Sequence, residues 1–173
     1  MERIITELLL IPFGEAPQVV INALQPDLKR IFRFLCRLSN PLPVPPSAYH
    51  PRRRQFSAET LLACLPFGEA GYVLGVADLD LYVSSLNFVF GLSDPSSGRA
   101  LIALPRLRQS YYGQPEDQGL FQQRVLKEAV HELGHTYGLS HCRDRRCVMA
   151  FSNSLSDTDF KSFTFCRRCS DRI

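Results

Sequence analysis

The stretch HELGHTYGLSHCRDRRCVM, residues 131–149, contains three of the four histidines in the chain, two of its six cysteines and a glutamate. Imidazole, thiolate and carboxylate groups are the side chains that hold zinc in proteins. So dense a group in one short segment predicts a metal site. The remainder of the chain can be interpreted outward from it.

The first half of this stretch predicts a helix with two histidines on one face. At about 100° per residue, His131 and His135 lie roughly 40° apart. The opposite side is apolar and carries Leu126, Ala129, Leu133 and Tyr137. Residues four apart lie one above the other on a helix, so the two imidazoles can hold one ion. In the pattern HExxH the glutamate, here Glu132, is the general base beside the metal.

A turn and a third histidine follow this helix. Gly138 predicts the helix end, because glycine adopts the left-handed C-terminal conformation at little cost. His141 can then reach the same ion as a third nitrogen ligand, which leaves a tetrahedral zinc one open position, as in catalytic sites. Met149 matches the methionine turn expected below the histidines in HExxHxxGxxH followed by Met. We expect it to act as a hydrophobic prop for the ligands.

These motifs resemble the metzincin metallopeptidases, and most closely the archaemetzincin family. The family pattern HExxHxxGxxHC, four residues, CxM, a spacer and CxxC runs without a gap through residues 131–169. Arg54-Gln55 with Leu61-Leu62, and the segment NFVFG at 87–91, also look like family segments. The resemblance implies a zinc peptidase that acts on peptides or proteins, and an aminopeptidase-like trimming of N-terminal residues.

Four cysteines predict a second, structural zinc site. Cys142-x4-Cys147 and Cys166-x2-Cys169 are separated by 18 residues, and four thiolates leave no open position on the ion. Two disulfides are the alternative, although a CxxC bridge is strained and a reducing compartment disfavours it. The predicted zinc attaches the C-terminal segment below the catalytic site. Cys36 and Cys64 are expected to be unreactive thiols.

The predicted reaction is hydrolysis of a peptide bond by water. Zinc on the three histidines would polarise the scissile carbonyl and lower the pKa of its water toward about 7. Glu132 would accept the proton from that water and pass it to the leaving amine. Loss of Glu132 is expected to abolish turnover and to leave the zinc in place.

Substrate-binding residues are marked less clearly. In metzincins an edge strand above the cleft pairs with an extended peptide, and the segment at 87–91 has the right place in the chain; an ordinary buried strand is the alternative. A tyrosine pair before the helix could stabilise an oxyanion, although loop tyrosines more often pack or face solvent. The substrate-binding candidates are therefore Asn87, Phe88, Val89, Phe90, Gly91, Tyr111 and Tyr112.

Alternating strands and helices predict an α/β (α+β) fold with a mixed sheet. The predicted order is a strand at 3–11, a helix at 17–34, a strand at 35–44, a short helix capped by Ser57, strands at 72–77, 87–90 and 100–103, and a long helix after Pro115. The resemblance implies a metzincin-like twisted sheet with an active-site helix and a small zinc-stapled C-terminal subdomain.

Length and composition limit the organisation of the chain. With 173 residues, 45% of them hydrophobic, it can bury one core, so one domain over 1–173 is expected, with an upper part at 1–138 and a lower part at 139–173. No apolar run approaches the roughly 18 residues of a membrane helix, and no signal peptide is recognisable. A cytoplasmic monomer without a membrane partner is expected.

Clustered arginines suggest a different function. Basic residues at 52–54, and Arg143, Arg145, Arg146, Arg167 and Arg168 beside the cysteines, are typical of zinc modules that bind nucleic acid. However, a formal net charge of +3 is too small to indicate such a partner, and no interleaved aromatic residues offer a stacking platform. An ordinary solvated surface is the simpler interpretation of these arginines. The alternative function is a non-catalytic, zinc-stabilised protein with a basic surface for nucleic acid or protein partners, and the glutamate at 132 favours the peptidase.

Overall fold

A computed structural model describes residues 6–67 and 71–173 of the chain. The strands are β1 Glu7–Phe13, β2 Leu35–Leu38, β3 Tyr49–His50, β4 Gln55–Ser57, β5 Gly71–Ala77, β6 Leu81–Tyr82, β7 Gly91–Asp94 and β8 Arg99–Ala103. The helices are α1 Gln18–Phe32, α2 Ala58–Cys64, α3 Gln118–Thr136, α4 Leu155–Phe160 and α5 Arg167–Ser170. The predicted mixed α/β class is confirmed.

The main sheet has five strands in the order β2-β1-β5-β8-β7. The first four are parallel, and β7 pairs antiparallel with β8 at one edge, with Gly91 opposite Ile102. Alternate residues of β8 pack on opposite sides of the sheet: Ala100 belongs to one buried cluster and Leu101 to the other. Because helices cover both faces, the central strands are apolar throughout.

The long helix α3 packs against β7 and β8. It begins at Asp117, whose carboxylate accepts a hydrogen bond of 2.9 Å from the backbone N–H of Leu120. Such a cap satisfies one of the free N–H groups of a helix start. It ends at Thr136, and Gly138 has a φ of +78°, as predicted for the turn after the helix. The helix therefore carries His131 and His135 across the edge of the sheet.

The chain after Gly138 covers the face of α3 that the sheet leaves open. It contains only the short helices α4 and α5, so few of its backbone groups are paired in regular structure. Apolar residues of this segment, among them Leu139, Val148 and Met149, join the same buried cluster as α1 and β1. As a result α3 is buried on nearly all sides, including its charged residues.

Two predicted strands are wrong in their extent. The strand expected at 35–44 ends at Leu38, because the prolines that follow lack the N–H groups that a ladder needs; only an isolated bridge joins Leu42 to Phe13. The strand expected at 87–90 is displaced to Gly91–Asp94. Residues 3–5 of the predicted first strand lie outside the described residues.

Within the described ranges, no helix combines the length and the apolar composition needed to cross a membrane.

Candidate metal centres

Three histidines meet at the end of α3. His131 and His135 are one turn apart, and the turn at Gly138 brings His141 back toward them. One ring nitrogen from each histidine lies within 4.8 Å of the other two, and the Nε2 atoms of His131 and His135 are 3.1 Å apart. Nitrogen ligands of a tetrahedral zinc are about 3.3 Å apart, so the spacing suits this ion.

Backbone carbonyl groups orient two of the imidazoles. The Nδ1 atom of His131 is 2.8 Å from the carbonyl oxygen of Val148, and that of His135 is 2.7 Å from the carbonyl oxygen of Leu139. A carbonyl only accepts hydrogen bonds, so each Nδ1 carries the proton and each Nε2 presents a lone pair. Two lone pairs that face each other at 3.1 Å repel unless a cation lies between them. The donor set therefore fits a metal ion.

The environment keeps these histidines in the neutral form that binds metal. Burial lowers the pKa of His131, His135 and His141 below the ordinary value, and the positive charge of Lys161 lowers it further. Metal and protons compete for the same nitrogen, so a lowered pKa favours the metal.

The side chain of Glu132 is buried beside the histidines. Burial raises its pKa to about 8, the charge of Glu128 one helical turn earlier adds to this rise, and Ser93 and Lys161 oppose it. A carboxylate with a raised pKa accepts a proton more readily than an exposed one, which suits a general base.

Gly91 allows β7 to approach this glutamate closely. A Cβ atom on Gly91 would lie only 2.6 Å from Cγ and 2.7 Å from Oε1 of Glu132. Any larger residue would have to push the carboxylate aside. Gly91 was predicted to bind substrate, and the structure places it in direct contact with Glu132.

Met149 lies below the histidines and is fully buried. A Cβ on Gly134, between the two helical histidines, would come within 2.4 Å of the sulfur of Met149. The methionine turn can therefore pack against α3 only where the helix lacks a side chain. Gly134 was not singled out from the sequence, although it is the residue before His135 in the HExxH motif.

A buried ion pair that the sequence did not reveal joins α3 to the chain after α4. Lys161 Nζ lies 3.1 Å from Oε1 of Glu128, and the two side chains are 1% and 3% exposed. Thr158 donates a hydrogen bond of 3.3 Å to the same carboxylate oxygen, and Lys161 donates one of 3.4 Å to the carbonyl of Ala150, next to Met149. The pair thus connects the histidine helix to the methionine turn.

We expect replacement of Lys161 by methionine to lower the free energy of unfolding by about 3–5 kcal/mol, because the carboxylate of Glu128 would stay buried without a partner. Urea denaturation measures the change. The exposed Lys29→Met is the matched control and should shift stability by less than about 0.5 kcal/mol. Adding Glu128→Gln to Lys161→Met should recover part of the loss; a double variant less stable than Lys161→Met would contradict this account.

The four cysteines of the lower part also meet. The sulfur atoms of Cys142, Cys147, Cys166 and Cys169 lie within 4.8 Å of one another, and those of Cys142 and Cys166 are 3.8 Å apart. A tetrahedral zinc with Zn–S bonds of about 2.3 Å separates its sulfurs by about 3.8 Å, whereas a disulfide brings them to about 2.05 Å. All six cysteines are free thiols, contrary to the disulfide alternative.

A cleft of about 500 Å³ runs past the histidines. Its wall is formed by the segment before β7, by β7 itself, by α3 and by residues 151–153. The cleft is lined by Val83, Leu86, Asn87, Phe88, Val89, Phe90, Gly91, Leu92, Ser93, Pro95, Glu128, His131, Glu132, His135, His141, Phe151, Ser152 and Asn153. It therefore brings the candidate ligands, Glu132 and the segment at 87–91 to one surface.

The segment Asn87–Phe90 lines this cleft without forming the predicted strand. Gln55 Nε2 donates a hydrogen bond of 2.9 Å to the carbonyl of Asn87, Val89 N–H donates one of 3.0 Å to Leu81, and the Phe90 carbonyl accepts one of 2.8 Å from Ala103. These separate hydrogen bonds hold the segment in place without the continuous ladder of a strand. Of the five residues predicted to form the edge, only Gly91 belongs to the edge strand β7.

The two tyrosines predicted near the oxyanion lie elsewhere. The hydroxyl of Tyr111 donates to Asp80 at 3.3 Å, and that of Tyr112 donates to the carbonyl of Arg106 at 3.2 Å. Neither residue lines the cleft. Asp80 and the loop that precedes α3 therefore hold the two hydroxyl groups, and the role of these tyrosines stays a prediction.

The arginines that suggested a nucleic-acid surface divide into groups with different contacts. The guanidinium of Arg53 lies 4.3 Å from the ring centre of Tyr82, and those of Arg145 and Arg146 lie 4.8 and 5.4 Å from that of Phe160. Arg143 and Arg168 line a pocket beside the cysteines. These arginines, which the alternative function would place on one basic surface, therefore differ in their contacts.

Known proteins resemble this chain in both sequence and fold. The model of peptidase family M54 matches residues 65–173. An archaemetzincin of Pyrococcus furiosus is 41% identical over 171 residues, which covers 94% of this chain and 89% of that protein. An archaemetzincin of Methanocaldococcus jannaschii is 40% identical over 162 residues with the same coverage.

The crystal structure of an archaemetzincin from Archaeoglobus fulgidus superposes with a TM-score of 0.87 at 34% identity, and covers 97% of this chain and 100% of that one. The resemblance predicted from the motifs is confirmed. The chain therefore belongs to peptidase family M54, with the archaemetzincins as its relatives, and is a zinc metallopeptidase.

Proposed function

We propose that the chain hydrolyses peptide bonds with His131, His135 and His141 as ligands of the catalytic zinc and Glu132 as general base. The observation that carries the proposal is the convergence of three imidazoles beside a buried carboxylate in one cleft. When bound, zinc supplies a Lewis acid that polarises a carbonyl and makes water a nucleophile near neutral pH.

The protein groups supply orientation and proton transfer. The carbonyls of Val148 and Leu139 hold two imidazoles with Nε2 toward the cleft. The Glu132 carboxylate accepts a proton from the attacking water and donates it to the leaving amine. Its close contact with Gly91 limits its movement, so the carboxylate is positioned before substrate binds.

The substrate is proposed to bind along β7. This strand is at the edge of the sheet and, among the strands at 6–67 and 71–173, pairs only with β8, so its other side can accept an extended peptide as an added strand. Phe88 and Phe90, whose ring centres are 5.2 Å apart, form part of an apolar wall in the same cleft. The likeness to archaemetzincins extends the proposal to the trimming of N-terminal residues.

A second zinc is proposed at the four cysteines, where it has a structural role because thiolates fill every ligand position. We propose that residues 1–173 act as one domain whose upper part, 1–138, and lower part, 139–173, enclose the cleft. The cytoplasm is the proposed location, since the thiolates hold zinc only while they stay reduced.

A peptide-library digest read by mass spectrometry tests the proposed activity. We expect two zinc ions per chain, cleavage that a chelator abolishes, and products shortened from the N-terminus. N-terminally acetylated peptides are the control: they resist an aminopeptidase and remain substrates of an endopeptidase. Zinc-loaded protein that leaves the whole library intact would contradict the proposal.

Replacement of Gly91 by alanine tests the position of the general base. We expect kcat/KM to fall about a hundredfold, because a shift of the carboxylate by about 1 Å is enough for such a loss. Zinc content and unfolding midpoint should change little, since the added methyl meets a movable side chain. Gly119→Ala is the control, as its nearest contact is 3.4 Å away. Equal activity of the two variants would refute the positioning role.

A further inference from the structure

A second pocket lies beside the catalytic cleft on the lower part of the molecule. It has a volume of about 580 Å³ and is lined by Ser140, His141, Cys142, Arg143, Arg168, Cys169 and Arg172. His141 lines both this pocket and the cleft. A group bound in the second pocket is therefore adjacent to the site where we propose that peptides are cleaved.

Three arginines from two parts of the chain face this pocket. Arg143 follows Cys142, Arg168 lies in α5, and Arg172 follows that helix. In residues 6–67 and 71–173, none of the three has a carboxylate oxygen within 4.0 Å, whereas Arg106, Arg108 and Arg124 each pair with an aspartate. The three guanidinium groups of the pocket thus retain free donors.

One of these arginines is held in place by the chain near the histidines. Arg172 Nη2 donates a hydrogen bond of 3.3 Å to the carbonyl of Gly138, in the turn between His135 and His141. This contact uses one N–H of a group that has five, so the guanidinium can still bind a planar anion. The turn that positions His141 therefore also positions a cationic wall of the pocket.

The neighbouring thiolates do not balance the three positive charges. Four thiolates with one Zn²⁺ would carry a net charge of −2, three guanidinium groups carry +3, and the neighbouring acidic residues Asp144 and Asp171 do not line the pocket. Like charges gathered around one concave surface raise the local potential and attract an anion. Arginine matches the geometry of a carboxylate, which it binds through two parallel hydrogen bonds.

We propose that Arg143, Arg168 and Arg172 bind a carboxylate group of the peptide substrate and thereby select peptides with an acidic group near the cleaved bond. This inference rests on the proposed peptidase function. The pocket shares His141 with the cleft, so a peptide bound in the cleft can bring a carboxylate to these arginines. A single concave pocket suits one carboxylate better than a nucleic-acid backbone, which needs an extended track. Phe160, an exposed aromatic residue of the lower part, does not offer a free ring for stacking of a base, because Arg145 and Arg146 lie against it.

Two neighbouring arginines on α5 provide a matched pair of variants. Arg168→Gln removes a charge from the pocket, and Arg167→Gln removes the same charge from the adjacent exposed position that does not line it. The substrates are peptides that the library digest shows to be cleaved. They are made again with Asp or with Asn at each position in turn. We expect the wild type to prefer Asp at one position by about tenfold in kcat/KM, mainly through KM, as a few exposed charge pairs allow.

Arg168→Gln, and Arg143→Gln as a second variant, should reduce this preference to about twofold. Arg167→Gln should keep it. A wild type that prefers neither Asp over Asn at any position nor the free acid over the amide, or an equal loss in Arg167→Gln, would overturn the inference. A free-acid and an amidated form of the Asn peptide tell whether the carboxylate comes from a side chain or from the C-terminus; either preference supports the site.

Direct binding separates this inference from the proposed activity. Fluorescence anisotropy of a labelled Asp peptide on the zinc-loaded protein should show binding that weakens about fivefold in Arg168→Gln and with added salt. If that occurs while no peptide is cleaved, the carboxylate site stands and the peptidase proposal fails. Two results would show that the arginines serve another purpose and that the inference is wrong. One is that Arg168→Gln loses structural zinc to a chelator. The other is that Arg168→Gln loses binding of a single-stranded RNA and keeps its preference among peptides.

Discussion

Glu132→Gln is expected to lower kcat/KM for peptide hydrolysis by a factor on the order of 10³ while the protein keeps its full zinc content. Glutamine preserves the size of the side chain, so the contacts with Gly91 and the buried surroundings remain. Its amide group lacks the basicity of the carboxylate and cannot accept the proton of the attacking water. Zinc content should not change because the proposed ligand group consists of the three histidines and does not include Glu132.

Steady-state kinetics and metal analysis of the same preparation measure both quantities. Glu15→Gln removes an exposed carboxylate far from the cleft lining and should leave the rate unchanged. Two outcomes would disprove the assignment. A variant with near wild-type activity would place the base elsewhere, and a variant without zinc would make Glu132 a ligand.

Replacement of Cys147 by serine is expected to release the structural zinc and to reduce the occupancy of the catalytic site as well. The two sites share a short piece of chain: Cys142 directly follows His141, and its N–H donates a hydrogen bond of 2.9 Å to the carbonyl of Met149. Between Cys147 and Met149, the carbonyl of Val148 orients His131. Disorder at the cysteines therefore reaches both ends of the histidine group.

We expect this variant to lose several kcal/mol of unfolding free energy, since the binding energy of a structural zinc contributes directly to folding. Zinc should fall from two ions per chain to fewer than one, and hydrolysis should be lost. Cys64→Ser, at an exposed cysteine outside the cluster, is the control and should behave like the wild type. A Cys147→Ser protein that kept one zinc and full activity would show that the two sites are independent.

Local sequence signals predicted the parts of the fold that short-range physics decides. The long helix after Pro115 and its end before Gly138 were both predicted, and both are present in α3, with Asp117 as its N-cap. The motif around His131 identified the family, which the comparisons confirm. The convergence of His141 with the helical histidines follows from the same signals, because only the turn at Gly138 separates them.

The edge strand was misplaced by four residues, because its extent depends on the hairpin that joins it to β8 through the turn at 95–98 and on its contact with the distant Glu132. Both 87–90 and 91–94 have suitable residues, and the choice depends on pairing with β8 and on the need for a glycine opposite Glu132. Tyr111 and Tyr112 were assigned by proximity in sequence to α3, whereas their partners are Asp80 and Arg106.

The ion pair of Glu128 and Lys161 had no recognisable signal. The two residues are separated by 33 positions, and a lysine in a polar segment ordinarily indicates a solvated surface. Only the tertiary structure brings this lysine under α3. The contact between Gly134 and Met149 could not be predicted for the same reason, because it depends on which turn packs against the helix.

The carbonyl groups of Val148 and Leu139 hold their imidazoles through the main chain, so the orientation of these two rings is set by the folded polypeptide and not by the ion. Exchange at this centre should consequently resemble ligand binding to a rigid receptor, without refolding. Protein stripped of its catalytic metal under mild conditions should regain activity on addition of Zn²⁺ or Co²⁺ within the mixing time, with an unchanged circular dichroism spectrum.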